Sequence, residues 1–308
     1  MRVACIPVPP PEALRANADV SLRFEDVTQD GRLVLDAIPN ALGPAVWRAI
    51  LSRDPSVAAL LKQGIVPVLS RFLLEGEPGP VSATAVVEAR GACQFARAAD
   101  GRIVVDMWAD LYAPLGRTYG TARTGEAGAR REPDNPALVG RVFAEHVLTR
   151  PFASAGERRV RDLPFPGAPA VIASRNSLPA AETIAVVPEG ATPLEPSMRI
   201  DPMPITFGIV HTDSNVHVNS LVYVRLFEEA ALRRFLALGR ATTVLGRTLE
   251  IVYRKPCFAG QTVRVAQRAF EESGRLGVAA VLVDEGEAAT QEALTAARPH
   301  AYARMHFS

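Results

Sequence analysis

The sequence predicts an α+β protein built from two similar halves, each an antiparallel sheet with a helix lying against it. Three observations carry this expectation. The 308 residues exceed what one modest core needs, and two comparable units account for them. Apolar runs of strand length recur in both halves, roughly over 65–112 and 249–307, and are bounded by Gly, Asp and Ser turn signals. Finally, a long stretch from Leu221 to Leu238 and a shorter one from Leu42 carry apolar residues at spacings of three and four, the signature of a helix with one buried face. Both halves then share one outline of strand, helix and four strands, for which duplication is the economical explanation.

In chain order, residues 1–18 are proline-rich and are expected as an extended arm. From Val20 the pattern turns strand-like, and the Gln29-Asp30-Gly31 signal before Arg32–Ile38 predicts a hairpin. Leu42, Val46, Trp47, Ile50 and Leu51, followed by 57–61, predict one or two helices broken near Asp54-Pro55. Strands are expected at 65–74, 81–88, 92–98 and 103–112, so that residues 19–115 form a first domain. Residues 116–200, rich in Gly, Pro, Arg and Ala, read as a connecting segment with one helix over 136–148. The second domain, 201–308, opens with a strand at 205–210 and a polar loop, His211 to Asn219. A helix follows, with Gly239 placed to end it, and then strands at 249–253, 262–270, 276–284 and 300–307.

Composition limits the function classes. Hydrophobic residues make up 48% and charged residues 22%, which fits a packed, water-soluble protein rather than a disordered or membrane-embedded one. A formal charge of +1 supplies no general attraction to nucleic acid or to an anionic membrane, so any phosphate-bearing ligand needs a local patch. Cys5, Cys93 and Cys257 are scattered and odd in number, which suits a reducing cytosol. The proline-broken N-terminus is too short for a signal peptide, and no run of about 18 apolar residues follows, so a cytoplasmic protein without membrane insertion is expected. His211, His300 and His306 lack metal-like spacing, and neither a metal nor a cofactor is expected.

Chemistry concentrates in the loop before the second helix. Asp213, Asn215, His217 and Asn219 recur every second residue, so an extended segment would point all four to one side. A carboxylate, an imidazole and two amides would then converge where the first free N–H groups of a helix can hold a carbonyl oxygen as charge develops on it. That combination suits acyl transfer.

The run Asp213-x-Asn215-x-His217-Val218-Asn219, with Tyr223 six residues after the histidine, resembles the catalytic segment of the plant and bacterial acyl-ACP thioesterases, which are double hot-dog proteins. It is more loosely similar to the 4-hydroxybenzoyl-CoA thioesterase class, which shares an aspartate ten residues before a tyrosine. Phe207, Glu228-Glu229-Ala230, the strand ending Tyr253-Arg254-Lys255-Pro256-Cys257 and the turn at Gly260 lie where the family places comparable elements. The likeness covers about 203–308, and over 19–115 it rests on the order of elements alone.

The resemblance implies a tandem hot-dog fold, a long helix wrapped by an antiparallel sheet in each unit, and hydrolysis of an acyl thioester of CoA or acyl carrier protein. Asp213 would attack the carbonyl or activate water, Asn215 would position that carboxylate or the substrate, and His217 would act as base or orient the water. The backbone amides near Val218 and Asn219 would polarise the carbonyl, and Tyr223 would stand beside the substrate, although its place on the helix reads first as a core residue. Arg254 and Lys255 are candidates for a pantetheine-arm phosphate. A homodimer of the tandem unit fits the same picture.

Two departures are visible. The family carries its motif in the N-terminal hot dog, whereas this chain carries it in the C-terminal one, and the equivalent place in the first half, 39–44, lacks both carboxylate and histidine. The family places a glutamate before the cysteine matched by Cys257, and this chain has Pro256, which cannot act as a base. Glu250, Glu228 or Glu229 are the candidates to replace it. The loss favours a second reading, a binding or scaffold protein without turnover; a third, an acyl-thioester hydratase or dehydratase, would want a His and an acidic residue facing each other across a dimer-like interface, and the first half shows no matching motif. Cys257, alone on a strand, reads as a small buried hydrophobe. Arg158, Arg159 and Arg161 form the densest basic cluster, which reads as solvated charge.

Overall fold

The computed structural model describes residues 6–118, 136–154, 156–173, 175, 177–288, 294 and 297–308. The chain divides into two compact units, Ile6–Leu178 and Pro179–Ser308. The division falls inside the segment 116–200 expected as a connection; residues 119–135 of that segment, and Cys5 of the arm, lie outside the described residues.

The first unit contains β1 (Leu14–Ser21), α1 (Pro55–Lys62), β2 (Val66–Gly76), β3 (Val86–Arg97), β4 (Ile103–Ala113), β5 (Ala137–Thr149) and the short β6 (Val171–Ile172). Its antiparallel sheet runs β1-β3-β4-β5-β2, and β6 adds in parallel to β3 at Phe95 and Ala96. Between β1 and β2 the chain passes over one face in short helical turns, Leu35–Ala41 and Gly43–Arg48, before α1. Of the one or two helices expected with a break near Asp54-Pro55, the second is α1, while these irregular turns stand in place of the first, because Pro39 and Pro44 each remove an N–H from the ladder. Gly91 of β3 lets them lie close, since a Cβ there would sit 2.7 Å from the Ala45 carbonyl oxygen.

Three local expectations change in this unit. The 136–148 segment is β5, not a helix. Its centre is buried on both faces, so the alternation that marks a half-exposed strand is lost from the sequence. The runs 81–88 and 92–98 are not two strands but flank and fill one, β3. The hairpin expected over 20–38 shrinks to a tight turn around Asp30-Gly31, closed by the antiparallel bridge of Val27 to Leu33: β1 starts earlier, at Leu14, and pairs with β3, while Leu33, Leu35 and Ile38 are buried.

The second unit contains α2 (Ala181–Ile184), β7 (Thr192–Pro193), β8 (Arg199–Ile200), β9 (Ile205–Thr206), α3 (Ser220–Ala237), β10 (Gly246–Tyr253), β11 (Thr262–Glu272), β12 (Arg275–Asp284) and β13 (Ala301–Phe307). Its antiparallel sheet runs β10-β13-β12-β11, and β7, β8 and β9 pair in turn along the free edge of β11. Helix α3 buries Tyr223, Val224, Phe227, Ala230, Ala231 and Phe235, the one-face spacing that the sequence shows. Its small residues allow close approach, and Gln267 Nε2 of β11 donates to the Ala230 carbonyl at 2.7 Å. Gly239 follows with φ +66°, the left-handed stop that glycine adopts without strain. Arg233 and Arg234 on the same helix pair with the buried carboxylates of Asp201 and Glu195, tying it to the β7–β8 edge. The architecture is α+β and of the tandem hot-dog type, each unit wrapping a sheet around its helical segment.

Candidate active site

The polar loop of the second unit is a tight turn rather than an extended segment. A short helical turn, Ile209–His211, leads in, and Thr212 and Val218 then pair antiparallel across the loop mouth. The Asp213 N–H donates to the His217 carbonyl at 3.0 Å, and the Val216 N–H donates to the Asp213 carbonyl at 3.0 Å. Closing so few residues forces Val216 to φ +68°, a region that β-branched residues rarely enter. The expected every-second-residue alignment therefore does not form.

The turn nevertheless gathers its polar groups onto one carboxylate. Asp213 Oδ1 accepts the Asn215 N–H at 2.8 Å, and Oδ2 lies 3.5 Å from Asn219 Nδ2. Asn219 also caps α3, its Oδ1 accepting the Leu221 N–H at 2.8 Å. Asp213 is half-buried, whereas Asn215 and His217 are exposed. The His217 ring rests edge-on against Phe258, with centroids 5.7 Å apart. Sequence reasoning missed Phe258, which follows Cys257 and shows no periodicity of its own.

Two assigned roles need correction. The Val218 N–H donates to the Cys257 carbonyl and the Asn219 N–H to the His211 carbonyl, both at 2.8 Å. Neither amide is left to polarise a substrate carbonyl. The Ser220 N–H, first in the helix, has no protein acceptor among the described residues. Tyr223 is buried in the core, and its hydroxyl oxygen accepts the Cys257 N–H at 3.0 Å. Burial, with the Cys257 contact, pushes that phenol well above its ordinary range. Burial likewise pushes the Cys257 thiol up to about 11, too high for a thiolate nucleophile near neutral pH.

Behind the loop, residues 254–258 form a strap fixed from several sides. The His300 Nδ1 lies 3.2 Å from the Pro256 carbonyl oxygen and its Nε2 lies 3.0 Å from Asp284 Oδ1. Lys255 Nζ pairs with Asp284 Oδ2 at 2.9 Å, so Lys255 is already engaged, while Arg254 is exposed. Burial works to raise the Asp284 carboxyl, but hydrogen bonds from Lys255 and His300 prevail and hold it below the usual range. None of the glutamates considered as replacements at Pro256 is seen at the strap. Glu228 accepts the Gly246 N–H at 2.7 Å, at the far end of β10. Glu250 is fully buried opposite Arg304, and Glu229 is exposed beside Arg233. Among the described residues, no group of three His, Cys, Asp or Glu side chains could hold a metal ion.

No protein-family model and no curated protein matches this sequence. Solved structures do match in fold. A proposed oleoyl thioesterase from Lactobacillus plantarum is 12% identical, with a TM-score of 0.61, over 96% of this chain and 95% of that one. An acyl-ACP thioesterase from Bacteroides thetaiotaomicron is 15% identical, with a TM-score of 0.57, over 96% and 98%. A 12:0-ACP thioesterase from Umbellularia californica is 16% identical, with a TM-score of 0.56, over 96% and 94%. At these identities the likeness establishes the double hot-dog fold that all three share with this chain over nearly its whole length.

Proposed function

We propose that the chain hydrolyses an acyl thioester, carried by CoA or by acyl carrier protein, at the loop that opens α3. The observation that carries this reading is the Asp213 carboxylate, held by the Asn215 N–H and the Asn219 amide at the helix N-terminus beside the exposed His217. A carboxylate so fixed attacks the carbonyl carbon to form an anhydride that water then cleaves, or it draws a proton from a water that attacks directly. His217 accepts or relays that proton. The Ser220 N–H, at the positive end of α3, takes the place first given to Val218 and Asn219 and faces the developing oxyanion. Thiolate leaves with little acid assistance, and the products are the free acid and the thiol. Arg254, exposed at the strap, remains the candidate for the phosphate of the pantetheine arm, with Lys255 held by Asp284. The likeness in fold to three thioesterases over nearly the whole chain supports the reaction class.

One observation favours a second reading. With Pro256 where a glutamate would stand, the same pocket suits a protein that binds acyl thioesters without turning them over. Thiol release from a panel of acyl-CoA and acyl-ACP substrates separates the two, comparing the native chain with Asp213→Ala and His217→Ala. Losses of about a hundredfold or more with unchanged melting establish the hydrolase. Saturable thioester binding without thiol release establishes the binding protein, and variants as active as the native chain dismiss this loop as the site.

A further inference from the structure

The basic cluster Arg158, Arg159 and Arg161 takes no part in the candidate active site; it belongs to the first unit. After β5 the chain turns back on itself: the Arg150 N–H donates to the Arg158 carbonyl at 3.0 Å, and Thr149 bridges Arg159. The returning residues lie beside the start of β4, where the Ile103 N–H donates to the Val160 carbonyl at 3.0 Å. The turn around Gly101 therefore stands next to this hairpin. Six arginines meet there, Arg97, Arg102, Arg150, Arg158, Arg159 and Arg161, against three carboxylates, Asp100, Glu157 and Asp162. Arg97 pairs with Asp162 and Arg102 with Asp100. Arg150 and Arg161 form no ion pair among the described residues, the Arg159 charge acts on Asp100 without a direct contact, and Arg158 donates to the Ala153 carbonyl at 3.0 Å.

At the tip of this hairpin stands Phe152, whose side chain is 100% exposed, more than any other large hydrophobic residue among those described. Pro151 stiffens its approach, and the turn is closed by the Ala153 N–H on the Arg150 carbonyl at 3.2 Å. A lone exposed aliphatic needs no explanation. A phenylalanine fully in water on a convex tip, with guanidinium groups behind it that outnumber the carboxylates among the described residues, has the layout of an interfacial anchor: an apolar wedge for the acyl boundary and cations at headgroup level.

We propose that the turn at Arg150–Ser154 and the returning residues Gly156–Arg161 dock the protein peripherally on an anionic lipid surface, Phe152 entering the headgroup layer and Arg150, Arg158, Arg159 and Arg161 meeting the phosphates. The convex tip favours a bilayer over a nucleic acid, which stacks its bases on aromatics set in a sheet or groove. The small overall charge of +1 does not oppose this, because the surplus is local to one edge. The inference is independent of the hydrolase reading.

Cosedimentation of the full chain with vesicles of phosphatidylglycerol and phosphatidylcholine tests it, against vesicles of phosphatidylcholine alone. Binding to the anionic vesicles, weakened by salt, is expected. At about fivefold per arginine, Arg158→Ser with Arg159→Ser lowers the partition coefficient roughly twentyfold or more. Phe152→Ser lowers it roughly tenfold or more without changing the melting temperature. Arg275→Ser, which removes one exposed arginine from the second unit, leaves binding as it was. Equal binding to both vesicle types, or native-like binding by the Phe152 and Arg158/Arg159 variants, overturns the proposal. So does retention on single-stranded RNA with none on the anionic vesicles.

Discussion

Replacing Asp106 with asparagine should stabilise the first unit at neutral pH, and the size of the effect follows from its surroundings. Asp106 lies on the face of the sheet opposite the helical turns, in register between Gln94 of β3 and Glu145 of β5. It is 1% exposed. Its Oδ2 lies 3.4 Å from both Gln94 Nε2 and Arg175 Nε, and Arg175 also pairs with Glu145, so two carboxylates share one guanidinium. Burial pushes the carboxyl up to about 6; Arg175 opposes the rise and Glu145 adds to it. In the unfolded chain it titrates near its ordinary value of 3.8. A folded pKa above the unfolded one means that this group's contribution is complete below about pH 4 and is lost as pH rises through about 6, after which it is flat. A shift of about two pH units corresponds to about 3 kcal/mol at most. Asparagine keeps the shape, removes the charge and can donate to the Gln94 amide oxygen, while Arg175 keeps Glu145. Allowing for the lost Arg175 attraction, a gain of about 1–3 kcal/mol at pH 7.5 is expected, shrinking towards zero or reversing at pH 4. Both tryptophans, Trp47 and Trp108, belong to the first unit, so urea unfolding followed by their fluorescence reports on it directly. A difference between native and variant that stays constant from pH 4 to 7.5, or a variant less stable at pH 7.5, refutes the reasoning.

Two backbone predictions are simpler. Val216 is largely exposed and sits at φ +68°, so Val216→Gly or Val216→Asn removes a left-handed penalty with little packing to lose; thermal unfolding should show a gain of about 0.5–1 kcal/mol, and a loss would deny that the turn is strained. Gly91→Ala should cost about 1–3 kcal/mol in urea unfolding, because its Cβ would meet the Ala45 carbonyl oxygen at 2.7 Å and its carbonyl carbon at 2.9 Å; unchanged stability would mean that the helical turns pack less closely on β3.

The second unit was largely legible because its signals are local. The α3 pattern, its Asn219 cap, its Gly239 stop and the four strands after it each follow from spacing and turn residues within the segment itself. The first unit was less so. β5 is covered on both faces, so burial erased the alternation that separates strand from helix, and the turns at 35–48 owe their path to Pro39, Pro44 and Gly91 jointly. In the site, the identity of the polar residues was readable but their geometry was not. Alternation supposes an extended chain, and a five-residue closure from Asp213 to His217 overrides it through hydrogen bonds no pattern displays. The partners of Val218 and Asn219 were illegible for the same reason, since the Cys257 acceptor arrives from 39 residues away through the sheet.

That contact bears on the residue most at odds with the resemblance. At Pro256 and Cys257 the backbone groups go into fixing the loop: the Pro256 carbonyl faces His300, the Cys257 N–H is taken by Tyr223, and the Cys257 carbonyl holds the Val218 N–H. Proline suits such a strap, because it contributes a fixed φ and has no N–H to satisfy. A glutamate there would add a carboxylate next to the half-exposed Asp284, with Lys255 the cation already shared. The strap therefore acts as the frame against which the loop is braced, and Phe258 at its end packs edge-on against the His217 ring. In the proposed reaction the base must then come from the loop itself. Asp213 is the carboxylate there, and its two hydrogen bonds give it the fixed orientation that a second acidic residue would otherwise have to supply.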